Sequence, residues 1–323
     1  MSQGRLLADI GGTYARFGWQ ESSGAAIEPL ATLACRDYAD IESAIRAALS
    51  SGRRPMPAQA AIAVAATVTH DCVSMTNNHW TFSRSMLAQS LGLSCLRVLN
   101  DFAALALALP DLGPTELRRI GGGEPVANAP IGLIGPGTGL GVSGLLPDGL
   151  GGWIALEGEG GHATLAAGST PREQGVLAWL ARRYGHVSAE RVVSGQGLSD
   201  LHQALCALDS VHLAEPLSPA AVSERGLEDS DRHCREALEL FAGMLGTLAG
   251  NLALTLGARG GVYLGGGIVP RLLGWFETSP FRERFDTKGR LSGFVRGIPV
   301  WVILADPSPA LRGAARALDQ VRG

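Results

Sequence analysis

Three glycine-rich turns stand far apart in this chain of 323 residues: Asp9-Ile10-Gly11-Gly12-Thr13, Gly135-Pro136-Gly137-Thr138-Gly139-Leu140-Gly141 and Gly265-Gly266-Gly267. Each adjoins a short apolar run. Glycine lets backbone N–H groups approach phosphate oxygens with no Cβ in the way, and the hydroxyls of Thr13 and Thr138 add uncharged donors. One such loop is a common accident, but three suggest a nucleotide, ATP, held between two halves. A second signal is Asn100-Asp101, which directly follows the apolar run Leu96 to Leu99. Ligands of α/β sheets gather beyond the carboxyl ends of strands, so this pair is placed for chemistry; the plainer alternative is that it caps the next helix.

The elements that must carry these residues alternate between strand and helix. Leu6 to Ile10 reads as a strand and Phe17 to Gln20 as its return, a hairpin with Gly-Gly-Thr at the tip. Ile41, Ile45, Ala48 and Leu49 recur at helical spacing after Tyr38, and Ala60 to Ala65 is an apolar run of the kind a buried strand shows. Ser83 suits the N-cap of a helix bearing Leu87 and Leu91. Pro110 and Pro114 then mark a change of domain. Ile131 to Ile134 opens a second strand and glycine turn, so the two halves repeat one plan. A long helix carries Ala237, Leu238, Phe241, Leu245, Leu248, Leu252 and Leu256 and stops at Gly257; Val262 to Leu264 leads into the third turn. After the strand Pro299 to Leu304, a last helix with Leu311, Ala314, Ala315, Leu318 and Val321 is expected to cover the first domain.

Composition narrows the function further. Hydrophobic residues make 46% and charged residues 18% of the chain, with a net charge of -3 and no basic run, which disfavours nucleic acid as a partner. No stretch long enough to span a membrane runs uninterrupted by charge or turn residues, and the apolar run after Arg5 is too short for a secretory signal, so a cytoplasmic protein is expected. The cysteines, Cys35, Cys72, Cys95, Cys206 and Cys234, are scattered without a C-x-x-C pair and read as buried or idle thiols. The one lysine, Lys288, precedes Gly289-Arg290, so no Walker A motif exists. Protein-kinase motifs, a Rossmann fingerprint, H-E-x-x-H and G-x-S-x-G are missing as well.

Taken in order, Asp9 to Thr13, Met75-Thr76-Asn77, Leu99-Asn100-Asp101-Phe102, Gly137 to Gly141, Glu159-Gly160-Gly161-His162, Gly185 to Arg191 and Gly265 to Arg271 make the chain resemble the bacterial ATP-dependent glucokinases of the hexokinase, actin and heat-shock ATPase superfamily. The resemblance runs from about Leu7 to the final helix. It implies an α/β fold of two actin-like (ribonuclease H-like) domains with a ligand cleft between them. The small domain is expected at residues 1–112 plus 302–323 and the large one at 113–301. It further implies transfer of phosphate from magnesium-ATP to D-glucose, and a homodimer.

By the same resemblance Asp101 is the general base, and Asn77, Asn100, Asp101, Glu159, His162 and Glu190 hold the sugar. Glu159 is preferred to Glu157 because the family pattern is Glu-Gly-Gly-His; a solvated loop is the bland alternative for both segments. His186 is read as structural. Asp9 orients Mg2+, while Gly11, Gly12, Thr13, Gly137, Thr138 and Gly139 receive phosphates and Gly266 and Gly267 accommodate the adenine. The chain lacks the cysteine-rich loop of the zinc-bearing repressor/kinase branch, so zinc is not expected. One departure stands out: Tyr14 occupies the position where the family commonly has Asn. Two rivals remain, an idle sugar sensor, which would be expected to lack Asp9 or Asp101, and a kinase for another hexose or an amino sugar.

Overall fold

The structure, a computed structural model, describes residues 4–306 and 308–320. These fall into two compact units, the first made of residues 1–112, 153–157 and 305–323 and the second of 113–152 and 158–304. Strand 300–303 thus belongs wholly to the second unit, and the short segment 153–157 to the first. Val321, which the sequence assigns to the last helix, lies outside the described residues.

In the first unit, β1 (Arg5–Ile10) and β2 (Tyr14–Gln20) form the expected hairpin, with the return strand beginning earlier than the apolar residues suggest. They are followed by β3 (Ile27–Ala34), α1 (Ile41–Ser51), β4 (Gln59–Val64), the small hairpin β5 (Cys72–Ser74) and β6 (Thr81–Ser83), α2 (Arg84–Leu91), β7 (Cys95–Asn100) and α3 (Asp101–Ala108). The sheet order is β3-β2-β1-β4-β7, antiparallel through the hairpins and parallel from β1 through β4 to β7. Both faces are covered, which is why β4 reads as an unbroken apolar run from Ala60 and β1 as one from Leu6 interrupted only by Asp9. Leu6, Ala8 and Ile10 face a core with Phe17, Trp19, Ile45 and Ile62, while Leu7 and Ala61 face Ala314, Ala315 and Leu318 of the last helix.

The second unit repeats the plan. Its strands are β8 (Leu117–Arg119), β9 (Ile131–Pro136), β10 (Leu140–Pro147), β12 (Gly261–Leu264) and β13 (Val300–Ile303); β11 (Trp153–Ala155) belongs to the first unit. They lie in the order β10-β9-β12-β13-β8, with a β9–β10 hairpin and parallel pairing from β9 through β12 to β13. Its helices are α4 (Pro171–Tyr184), α5 (Gly195–Leu208), α6 (Pro219–Leu227), α7 (Arg232–Leu256), the short α8 (Ile268–Arg271), α9 (Leu273–Phe276), α10 (Phe281–Asp286) and α11 (Ser292–Arg296); α12 (Ala310–Asp319) returns to the first unit.

Local chemistry sets the helix ends. Asp231 caps α7 by accepting from the backbone N–H groups of His233 and Cys234, and Gly257 ends it with φ of 61° in the left-handed region. By length and hydropathy α7 could cross a membrane, but 61% of its most apolar stretch is buried inside the protein, where it packs with α5, α6 and α10. Glu173 ties α4 to α10: its carboxylate accepts from Arg284 Nη1 at 2.6 Å and from Ser169 N at 2.7 Å. Burial alone would raise that carboxyl, yet the Arg284 and Ser169 bonds bring it below its ordinary value.

Two outcomes follow for stability. Gly313 of α12 lies against the Ala104 carbonyl of α3, and a methyl group there would overlap it. Gly313→Ala should therefore cost about 1–3 kcal/mol in urea unfolding; an unchanged midpoint would show that the helices have room. Glu173→Gln should cost about 1–3 kcal/mol at neutral pH, discounted because Arg284 keeps some solvent contact. Because the folded-state carboxyl lies below its unfolded value, this stabilisation is present above that unfolded value and is lost as pH falls through the folded one. The difference in Tm between variant and parent should accordingly close in acid, and a difference that persisted there would rule out the ion pair as its source.

Candidate active site

In the first unit the hairpin β1–β2 presents Gly11, Gly12 and Thr13 at its tip. The turn is closed by the backbone bond from Gly11 N to Tyr14 O at 3.0 Å, and Thr13 O accepts from Cys35 N at 2.9 Å. Asp9 sits within β1 opposite Arg16, whose Nη1 is 3.5 Å from its carboxylate. Burial pushes the Asp9 carboxyl up, and the Arg16 charge pulls part of the way back. The result is a nearly buried carboxylate directly before a turn rich in N–H donors.

Asn77 comes to this turn from elsewhere in the sequence. It lies in the loop joining β5 to β6, which is held by the Met75 N to Trp80 O bond and by Trp80 Nε1 donating to Tyr38 O. A Cβ built on Gly12 would lie 2.8 Å from Asn77 Cβ, so the glycine is required by close approach. Its neighbour Asn78 has a buried amide nitrogen that faces the Cys35 thiol, while its Oδ1 accepts from Trp80 N. The family motif points only to Asn77; the adjacent pair of amides is the sequence signal for Asn78 as well.

Asn100 and Asp101 stand at the carboxyl end of β7 and the start of α3. Asn100 does serve as a cap: Oδ1 accepts from Phe102 N at 2.9 Å and Ala103 N at 3.3 Å, and Nδ2 donates to Ala66 O at 3.2 Å. An amide nitrogen carries two hydrogens, so one donor is left for a ligand. Asp101, in the first turn of α3, accepts from Phe102 N at 2.9 Å and is half-buried.

In the second unit Gly137, Thr138 and Gly139 make the tip of the β9–β10 hairpin. Two other glycines come against it. Gly195, the first residue of α5, donates to Gly137 O at 2.9 Å, and Gly266, with φ of 74°, is so close to the Pro136 carbonyl that no side chain fits. The second and third glycine turns, far apart in sequence, are thus adjacent in space, with Gly267 leading into α8.

Glu159 and His162 flank the turn Gly160–His162, where His162 N donates to Glu159 O at 3.0 Å; both side chains are exposed. The segment around Glu190 runs beside this turn, with Glu190 N donating to Gly161 O at 2.9 Å and Ala189 N to Ala163 O at 2.9 Å. The Glu190 carboxylate reaches the hairpin tip, where it accepts from Leu140 N at 2.9 Å. It therefore contacts the phosphate-type turn as well as the Glu-Gly-Gly-His turn, a bridging position that sequence spacing did not reveal. His186 bonds Thr164 Oγ1 at 3.0 Å, beside the same turn. Tyr14 is half exposed, and its turn contact is made by its main chain.

Within each unit, then, a glycine-tipped hairpin is joined by polar side chains from distant loops. The glucokinase family model matches residues 6–321. The glucokinase of Chromobacterium violaceum is 54% identical over 314 residues, which cover 97% of this chain and 89% of that protein. Among solved structures, a glucokinase from an Antarctic psychrotroph superposes with a TM-score of 0.88 at 34% identity, covering 99% of this chain and all of that one. A Balamuthia mandrillaris glucokinase, solved in complex with glucose, shares the fold with a TM-score of 0.77 at 18% identity, covering 97% of this chain and 93% of its own. The chain belongs to the glucokinase family.

Proposed function

We propose that this chain transfers the γ-phosphoryl group of ATP to the 6-hydroxyl of D-glucose. The reading is carried by identity to a glucokinase that exceeds one half over nearly the whole chain. It is supported by the repeated glycine-tipped hairpins, whose N–H donors and hydroxyls suit phosphate oxygens.

Asp101 is the general base in this reading. It takes the proton of the sugar 6-hydroxyl as that oxygen attacks the γ-phosphorus and the bond to the ADP oxygen breaks. Asn77, the remaining Asn100 donor, Glu159, His162 and Glu190 orient the sugar. Through its bond to Leu140 N, Glu190 also fixes the tip that carries Thr138. Gly11, Gly12, Thr13, Gly137, Thr138 and Gly139 bind phosphates, and Gly266 and Gly267 leave room for the adenine. The nearly buried Asp9 carboxylate offers the hard oxygen that magnesium prefers, directly before a phosphate-type turn. When bound, the ion supplies charge neutralisation on the transferring phosphates.

A hexose panel in a coupled ADP-release assay tests the assignment; glucose should be the preferred acceptor, and strong preference for another hexose or an amino sugar would move the chain to a different substrate. Asp101→Asn should leave glucose binding nearly intact and lower kcat by about 10²–10⁴. Turnover near the parent rate would sink the base assignment. Tyr14→Asn should keep or raise activity, because the phenol is half exposed and only the main chain of Tyr14 closes the turn. A large loss would give the tyrosine side chain a role of its own.

A further inference from the structure

A cluster in the second unit lies outside everything assigned above. His202 is on α5, Asp231 is the N-cap of α7, and Cys234 lies in the first turn of that helix. One donor atom from each of the three lies within 4.8 Å of the others. His202 and Cys234 are essentially inaccessible, at 1% and 0% exposure. The Nδ1 atom of His202 is buried with no hydrogen-bond partner, which is costly for a ring nitrogen in the interior.

The other ring nitrogen explains how that atom is oriented. His202 Nε2 lies 3.6 Å from the Sγ of Cys206, one helical turn further along α5. With the proton on Nε2 and directed at that sulfur, Nδ1 keeps its lone pair. A metal-binding histidine is commonly arranged in this way, one nitrogen tied to a neighbour and the other left for the ion. Burial pushes the His202 imidazole below its ordinary value and the Cys234 thiol up to about 12. Arg225 and Arg232 bring positive charge near the group, Asp209 brings negative charge, and the His233 ring also faces it.

We propose that His202, Asp231 and Cys234 form a binding site for a zinc-type divalent ion that joins α5 to the start of α7, with Cys206 as the positioning residue for the imidazole. Nitrogen, thiolate and carboxylate donors in one small cluster suit a borderline-soft ion of tetrahedral preference. Donor atoms around tetrahedral zinc stand about 3.3–3.8 Å apart, so the cluster must close by only about 1 Å. Water can take the fourth position from the side of Asp231, the one ligand of the three that is not fully buried. Binding displaces the Cys234 thiol proton to solvent, and no redox step is involved. Because the first residue of α5 donates to Gly137 O, the ion would brace the helix on which the second glycine turn rests.

The sequence gives little sign of this site, since its ligands come from two helices with no shared motif. The test is cobalt(II) titration of the full-length reduced protein under exclusion of oxygen, followed by competition with zinc. One cobalt per chain should bind with a thiolate-to-metal charge-transfer band and the visible bands of a tetrahedral ion, and zinc should displace it and raise Tm. Cys234→Ser should abolish the charge-transfer band, Cys206→Ala should weaken affinity about 10–100-fold, and Cys72→Ser, at an exposed thiol, should change nothing. No charge-transfer band in the parent protein would overturn the proposal without recourse to any variant. A band that survived in Cys234→Ser or vanished in Cys72→Ser would overturn it equally.

Discussion

The fold depends on places where main chain passes against main chain with no room for a Cβ. Gly161 sits on the Leu140 carbonyl, Gly266 on the Pro136 carbonyl, and Gly313 on the Ala104 carbonyl. The first two draw the Glu-Gly-Gly-His turn and the third glycine turn onto the hairpin formed by β9 and β10. The last seats α12 on α3 and closes the first unit over Leu7 and Ala61. Each contact forfeits conformational freedom in the unfolded chain and gains a backbone surface that a ligand can approach. At these three positions glycine is a requirement of close approach and not a mark of flexibility.

Polar side chains then hold the scaffold while keeping hydrogen-bonding capacity to spare. Asn100 is the clearest case, since its oxygen caps α3 and part of its amide bonds Ala66, leaving a single donor. Capping and ligand binding are not alternatives at this residue, because one side chain has enough hydrogen-bonding capacity for both. Glu190 is similar: its carboxylate holds the Leu140 amide while its backbone pairs with Gly161. A side chain committed in this way is pre-positioned, and a site built from such groups needs little reorganisation when charge develops on a transferring phosphate.

The second unit also shows why a long apolar helix need not meet a membrane. Residues such as Phe241, Leu245 and Ala249 on α7 are fully buried against neighbouring helices, and Glu173 and Arg284 pair beside them at the α4–α10 contact. Cys234 belongs to the buried face of α7, so the same helix start that Asp231 caps also carries the cluster with His202.

The repeated alternation of strand and helix, the hairpins, the caps at Ser83 and Asp231 and the stop at Gly257 are written locally. They depend on side-chain period, on hydroxyl or carboxylate acceptors at helix starts, and on the left-handed conformation that glycine tolerates. Family membership was legible too, because its motifs recur in order along almost the entire chain. What the sequence could not decide was which distant segments meet. Asn77 against Gly12, Gly195 against Gly137, Glu190 against Leu140 and His202 beside Cys234 are all long-range neighbours, set by how strands order themselves and helices pack. The widely spaced cysteines read as idle for that reason: a ligand set drawn from two helices has no spacing to display until tertiary packing brings the helices together.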